Sequence, residues 1–173
     1  MSEPASSASE QRPRLRQAAF FYLLGLIIAG LLAGLLWHLL SSPPSYVIGD
    51  DQGAIITEQG LSQVFAMDIW YLFIGMALGF AVGAFAWGLM HQVGWPILIV
   101  VVVGALLAGL LAWQFGQLLG PRDFADRLAA ASTGDRVSMD LQLHSAWLTF
   151  VWPLSACLPV AVLALWNQFR KAV

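Results

Sequence analysis

Four stretches of this sequence, residues 18–40, 69–90, 95–119 and 146–166, contain no Asp, Glu, Lys or Arg. Charged residues reach only 10% over the whole chain, where a soluble domain carries about a quarter. That scarcity excludes an ordinary soluble fold, so the apolar residues, 59% of the total, have to face lipid. At about 1.5 Å of rise per residue, runs of about 20–25 residues cover the roughly 30 Å of bilayer hydrocarbon. Lipid offers no hydrogen-bond partner to an open backbone, and the runs lack the polar alternation of barrel strands, so each predicts a transmembrane helix.

Other absences narrow the reading further. Cys157 is the only cysteine, so no internal disulfide can hold the loops. The segment 41–68 has no Lys or Arg, whereas the two tails, 1–17 and 167–173, carry Arg12, Arg14, Arg16, Arg170 and Lys171 against only Glu3 and Glu10. Basic residues stay on the cytoplasmic side, which predicts cytoplasmic termini and extracytoplasmic loops at 41–68 and 120–145. Arg122, Arg127 and Arg136 lie in the second loop, whose placement follows from the even number of spans. Arg residues before the first run resemble the start of a secretory signal, but the run is longer than a signal core. Ser-Ser-Pro-Pro at 41–44 is also a poor cleavage site, so the first run reads as a retained anchor. No hydrolase elbow, phosphate loop, paired-Cys motif or His-rich helix occurs, and neither an enzyme, a cofactor nor a nucleic-acid partner is expected.

Residues 1–17 lack apolar periodicity and read as a disordered cytoplasmic tail able to touch anionic lipid, and 91–94 as a tight turn between antiparallel helices. In the first outer loop, two β-favouring runs, 46–48 and 54–57, flank Gly49, Asp50, Asp51, Gln52 and Gly53, which predicts a hairpin. In the second, residues 121–131 suit a short helix, Gly134 a turn, and 137–143 a half-buried strand by their alternation. Three strands with an apolar face are more plausible than an isolated hairpin. The expected fold is therefore an all-α membrane protein, a four-span bundle over 18–166 with a small extracytoplasmic α/β cap; two unstructured loops are the alternative.

Leu-Leu-Ala-Gly-Leu-Leu occurs at 31–36 and again at 106–111, and Trp70 with Phe73 and Trp147 with Phe150 repeat one spacing at the outer starts of the second and fourth spans. These predict a duplicated two-span unit whose copies are related by an axis along the membrane normal. The segment from Ala112 and Trp113 to Gly120 and Pro121, with the acidic first loop, the Gly-rich second span and Trp152-Pro153, resembles an actinobacterial family of small four-span membrane proteins catalogued only as a domain of unknown function. The likeness covers most of residues 26–166 and implies a bacterial inner-membrane setting; no functional residue is carried over.

Small residues recur four apart: Gly75, Gly79 and Gly83 in the second span, and Gly104, Ala108, Ala112 and Gly116 in the third, with Gly30 and Gly34 in the first. Such stripes let backbones approach closely and predict helix packing, either within the chain or in a homo-oligomer. Trp37, Trp70, Trp87, Trp95, Trp147 and Trp166 lie near span ends, as an aromatic belt at the headgroups would. Pro153 and Pro159 are expected to bend the fourth span. His38, Asp68 and His144 should share one depth on the outer side, where they would bind Zn²⁺ or exchange protons only if they converge. Otherwise they are three separate interfacial residues, and no metal is assigned. The sequence thus points to a non-catalytic scaffold or accessory subunit of the plasma membrane, in contact with lipid, binding a protein or lipid partner through an acidic outer cap. The alternative is a small transporter or lipid-handling protein of two parallel repeats, which a cavity lined by Gln114, Gln117 and Thr149 would favour.

Overall fold

The computed structural model describes residues 5–49, 54–56 and 58–172. In chain order it contains helix α1 (Ala5–Leu40), strands β1 (Ser45–Ile48) and β2 (Ala54–Ile56), helix α2 (Glu58–Met90), a 3-10 turn (His91–Val93), helix α3 (Pro96–Leu119), short helix α4 (Phe124–Ala129), strand β3 (Arg136–Ser138), a second 3-10 turn (Ala146–Phe150) and helix α5 (Val151–Ala172). Four segments, Arg14–Leu40, Ser62–Val93, Pro96–Ala129 and Ala146–Arg170, are long and apolar enough to cross a membrane. Their outward faces carry large apolar side chains such as Leu23, Ile27, Phe73, Ile99 and Leu158, all exposed, so water is a poor solvent for this surface.

Two boundaries differ from expectation. Residues 5–17, read as disordered tail, continue α1 as helix: Ala, Glu, Gln and Arg are good helix formers, and a helix already nucleated by the apolar run needs only propagation to extend. α2 begins at Glu58 rather than at 69, because polar residues such as Ser62 and Gln63 conceal a helical start that hydropathy alone reads as loop.

The packing also departs from the expected symmetry. α1 packs most extensively on α3, and α2 on α5, while the chain neighbours α1 with α2 and α3 with α5 touch less; α1 and α5 scarcely meet. Connectivity makes α1 parallel to α3 and α2 parallel to α5. The two hairpins therefore lie side by side, like helix on like helix. A two-fold axis along the bundle would set like helices diagonally across it, so the expected axis along the membrane normal is replaced by lateral stacking.

The small-residue stripes are all turned inward. A Cβ on Gly30 would lie 2.9 Å from the Ala108 carbonyl oxygen, and one on Gly34 2.7 Å from that of Ala112. Gly75, Gly79 and Gly83 face Trp152, Ser155 and Ala156 of α5; Gly104 faces Tyr22, and Gly116 faces Trp37. Interhelical dispersion at backbone distance is what these glycines provide, and it is used within the chain.

At the end of the bundle where α1 and α3 stop and α2 begins, the three strands form an antiparallel sheet in the order β2-β1-β3. Tyr46 pairs with Ile56 on one side and with Val137 on the other. β3 is shorter than the run 137–143, yet the alternation holds: Val137, Leu141 and Leu143 are buried, and Gln142 and His144 exposed. Leu141 and Leu143 extend the bundle core beneath the sheet, while α4 leans on it through Phe124, whose ring centroid lies 5.5 Å from that of Tyr46. The expected turn residues Asp50, Asp51, Gln52 and Gly53 lie outside the described residues.

Candidate functional site

Just inside the sheet end, all four long helices meet in a plug built around Trp37, Tyr71 and Trp152. Trp37 of α1 donates its indole N–H to the Met67 carbonyl of α2 at 2.8 Å and meets the Tyr71 ring edge-on, with centroids 5.4 Å apart. Tyr71 of α2 donates its hydroxyl to the Gly109 carbonyl of α3 at 2.8 Å. Trp152 of α5 covers Gly75 and Gly109, and Ser155 donates to the Gly75 carbonyl at 3.2 Å. Trp37 and Trp152 are completely buried.

Trp37 is thus a correction to the expected belt. Trp70, Trp95, Trp147 and Trp166 are exposed, as headgroup aromatics would be, but Trp37 turns inward over Gly116, the one neighbour with no side chain to exclude it. Tyr71 and Trp152 were not anticipated as site residues. Trp152 covers Gly75 and Gly109, which lie on other helices, and so the sequence does not mark the contact.

Of the expected outer cluster, the structure joins two members. The Asp68 carboxylate accepts the His144 backbone N–H at 3.1 Å, and its oxygen is 3.8 Å from the His144 ring Nδ1. Half-buried His38 does not join them, and among the described residues no group of three or more His, Cys, Asp or Glu is placed to hold a metal ion. The pair instead clamps the chain after β3 to α2, well inside that helix. A hydrogen bond to a charged acceptor contributes about 1.5–3 kcal/mol. Asp68→Ala is therefore expected to lower thermal stability by about that amount and to speed protease cleavage within 120–145, with Asp68→Asn falling between it and the wild type.

The rest of the sheet end is held by polar contacts near its surface. Arg127 of α4 forms an ion pair with Asp140 at 2.8 Å and donates to the Arg122 carbonyl at 2.9 Å. Beside it, Gln114, Gln117, Arg122, Asp140 and Gln142 line an open polar hollow of about 370 Å³. Thr149 is absent from this hollow: it is buried and donates to the Ala146 carbonyl at 2.8 Å. The cavity of Gln114, Gln117 and Thr149 that would favour a transporter is not formed.

A second, apolar cleft of about 500 Å³ opens at the opposite end, between α2, α3 and α5, beside Trp87, Trp95 and Val160. The chain matches no protein-family model, no curated protein and no solved structure. Geometry and sequence alone carry the functional argument.

Proposed function

We propose that this chain is a multi-pass protein of the bacterial plasma membrane, with both termini cytoplasmic and the sheet end outside as an acidic cap. In this reading it is a non-catalytic scaffold or accessory subunit that binds a protein partner through that cap. The observation that carries the reading is the plug of Trp37, Tyr71, Gly109 and Trp152. It fills the bundle where a transported molecule would pass and makes a firm floor for the loops. The cap is anchored to that floor through Leu141, Leu143 and the Asp68–His144 contact, so it presents a fixed surface. The two loop regions, 41–68 and 120–145, carry eight acidic residues and three Arg, which suits a basic partner face and electrostatically steered encounter. Orientation rests on the basic tails, and the bacterial inner-membrane setting on the resemblance to the actinobacterial four-span family.

Topology and partner are tested together in cells. In a Cys157→Ala background, Ser132→Cys is expected to react with an impermeant maleimide in intact cells, and Ser6→Cys and Val173→Cys only after permeabilisation. Labelling of either terminus in intact cells would overturn the orientation. A photocrosslinker at position 132 is expected to trap one reproducible protein, and recovery of uncrosslinked chain alone would remove the scaffold reading.

A further inference from the structure

Past Val160, α5 is no longer buried in the bundle. Pro159 removes a backbone donor and its ring crowds the carbonyl one turn earlier, and none of residues 161–170 is buried. Beside this stretch lies the apolar cleft, walled by Trp87, Ile97, Val160 and Ala164, with exposed His91 and Asn167 on its lining. From Val160 to Asn167 the helix rises about 10 Å, a good part of the roughly 15 Å hydrocarbon depth of one leaflet.

Two further observations describe the occupant. Trp95 and Trp166 are exposed at this end, where indoles mark the headgroup level. The charged side chains described here, Arg14, Arg16 and Arg170, are all basic, and the Arg170 guanidinium sits 5.8 Å from the Trp166 ring centroid, one turn beyond Asn167. The stretch of α5 along the cleft rises only about 10 Å, too little to seat a partner's spanning helix, which needs about 30 Å, but enough for one lipid tail.

We propose that this cleft holds an acyl chain of an anionic phospholipid, whose phosphate is met by Arg170 and Asn167. The inference rests on the reading that the chain crosses a bilayer with this end in the inner leaflet. The apolar walls supply affinity through buried methylenes, and the arginine supplies the preference for negative charge.

The full chain in detergent, offered equimolar phosphatidylglycerol and phosphatidylcholine, is examined by native mass spectrometry. One bound phosphatidylglycerol is expected, retained about tenfold over phosphatidylcholine. Ala164→Trp, which fills the cleft, is expected to lower retention of both lipids about tenfold, and Arg170→Gln to equalise them; Ala161→Phe replaces Ala164→Trp if the latter aggregates. Equal retention of the two lipids by the wild type, or undiminished retention by the filled cleft, would overturn the proposal. A chain monodisperse without detergent would instead overturn the membrane reading, which the lipid ratio does not test.

Discussion

Gly83→Leu is expected to leave little monodisperse protein in detergent, while Gly88→Leu on the same helix is expected to be silent or slightly stabilising. A Cβ at Gly83 would overlap the carbonyl of Ala156 on α5. That obstacle is backbone, so no rotamer change relieves it. α2 would have to withdraw from α5, breaking the Ser155 bond to the Gly75 carbonyl and uncovering Trp152. Overpacking against yielding side chains costs about 1–3 kcal/mol, and a backbone collision on the most extensive face of α2 should exceed the upper end of that range. At Gly88 an added Cβ meets nothing within 4 Å, and replacing a helical glycine recovers up to about 1 kcal/mol. Size-exclusion recovery after mild heating distinguishes the two variants. If the stripe instead joined separate copies, Gly83→Leu would give a smaller, folded species, and the intramolecular packing described here would be wrong.

The spans were legible because an uncharged run of this length has one stable conformation in lipid, and no periodicity is needed to read it. The sheet end was partly legible for a different reason: Val137, Leu141 and Leu143 alternate with polar neighbours and all three are buried, although only Val137 lies in a strand. Which strand pairs with which is another matter, since residues 45–47 meet 136–138 across α2, α3 and α4 of intervening chain.

Neighbour choice was the illegible part. A duplicated hairpin is equally compatible with diagonal or lateral placement, and the observed lateral stacking is decided by side chains such as Trp152, which reaches Gly75 and Gly109 on two helices at once. The proposed cluster failed on helix geometry. Successive helical residues point about 100° apart, so once Trp37 takes the inward direction, His38 is turned aside. Asp68 and His144 each follow a buried residue, Met67 and Leu143, and that shared rim position brings them together. Pro153 falls in the first turn of α5, where a missing donor leaves no helical bond unmade, so only Pro159 lies inside the helix, which runs on through it.

Trp37→Ala is expected to destabilise the protein by about 3–5 kcal/mol, the usual cost of truncating a buried aromatic, whereas Trp95→Ala should cost well under about 1 kcal/mol. Both tryptophans sit near a span end, and their difference is purely one of surroundings: Trp37 is 0% exposed and Trp95 75% exposed. Removing the Trp37 indole leaves a void between Gly116, Met67 and Tyr71 and frees the Met67 carbonyl of its extra donor. Trp37→Phe keeps part of the edge-on contact with Tyr71 and loses only the indole donor, so it should cost about 1 kcal/mol more than the packing change alone. Because Trp37 and Tyr71 touch, Trp37→Ala combined with Tyr71→Ala should depart from the sum of the two single variants by about 0.5–1.5 kcal/mol. Thermal unfolding in detergent, followed by near-ultraviolet dichroism, reads each of these variants. If Trp37→Ala were tolerated as well as Trp95→Ala, the plug would not be a packed unit. The floor beneath the sheet would go with it.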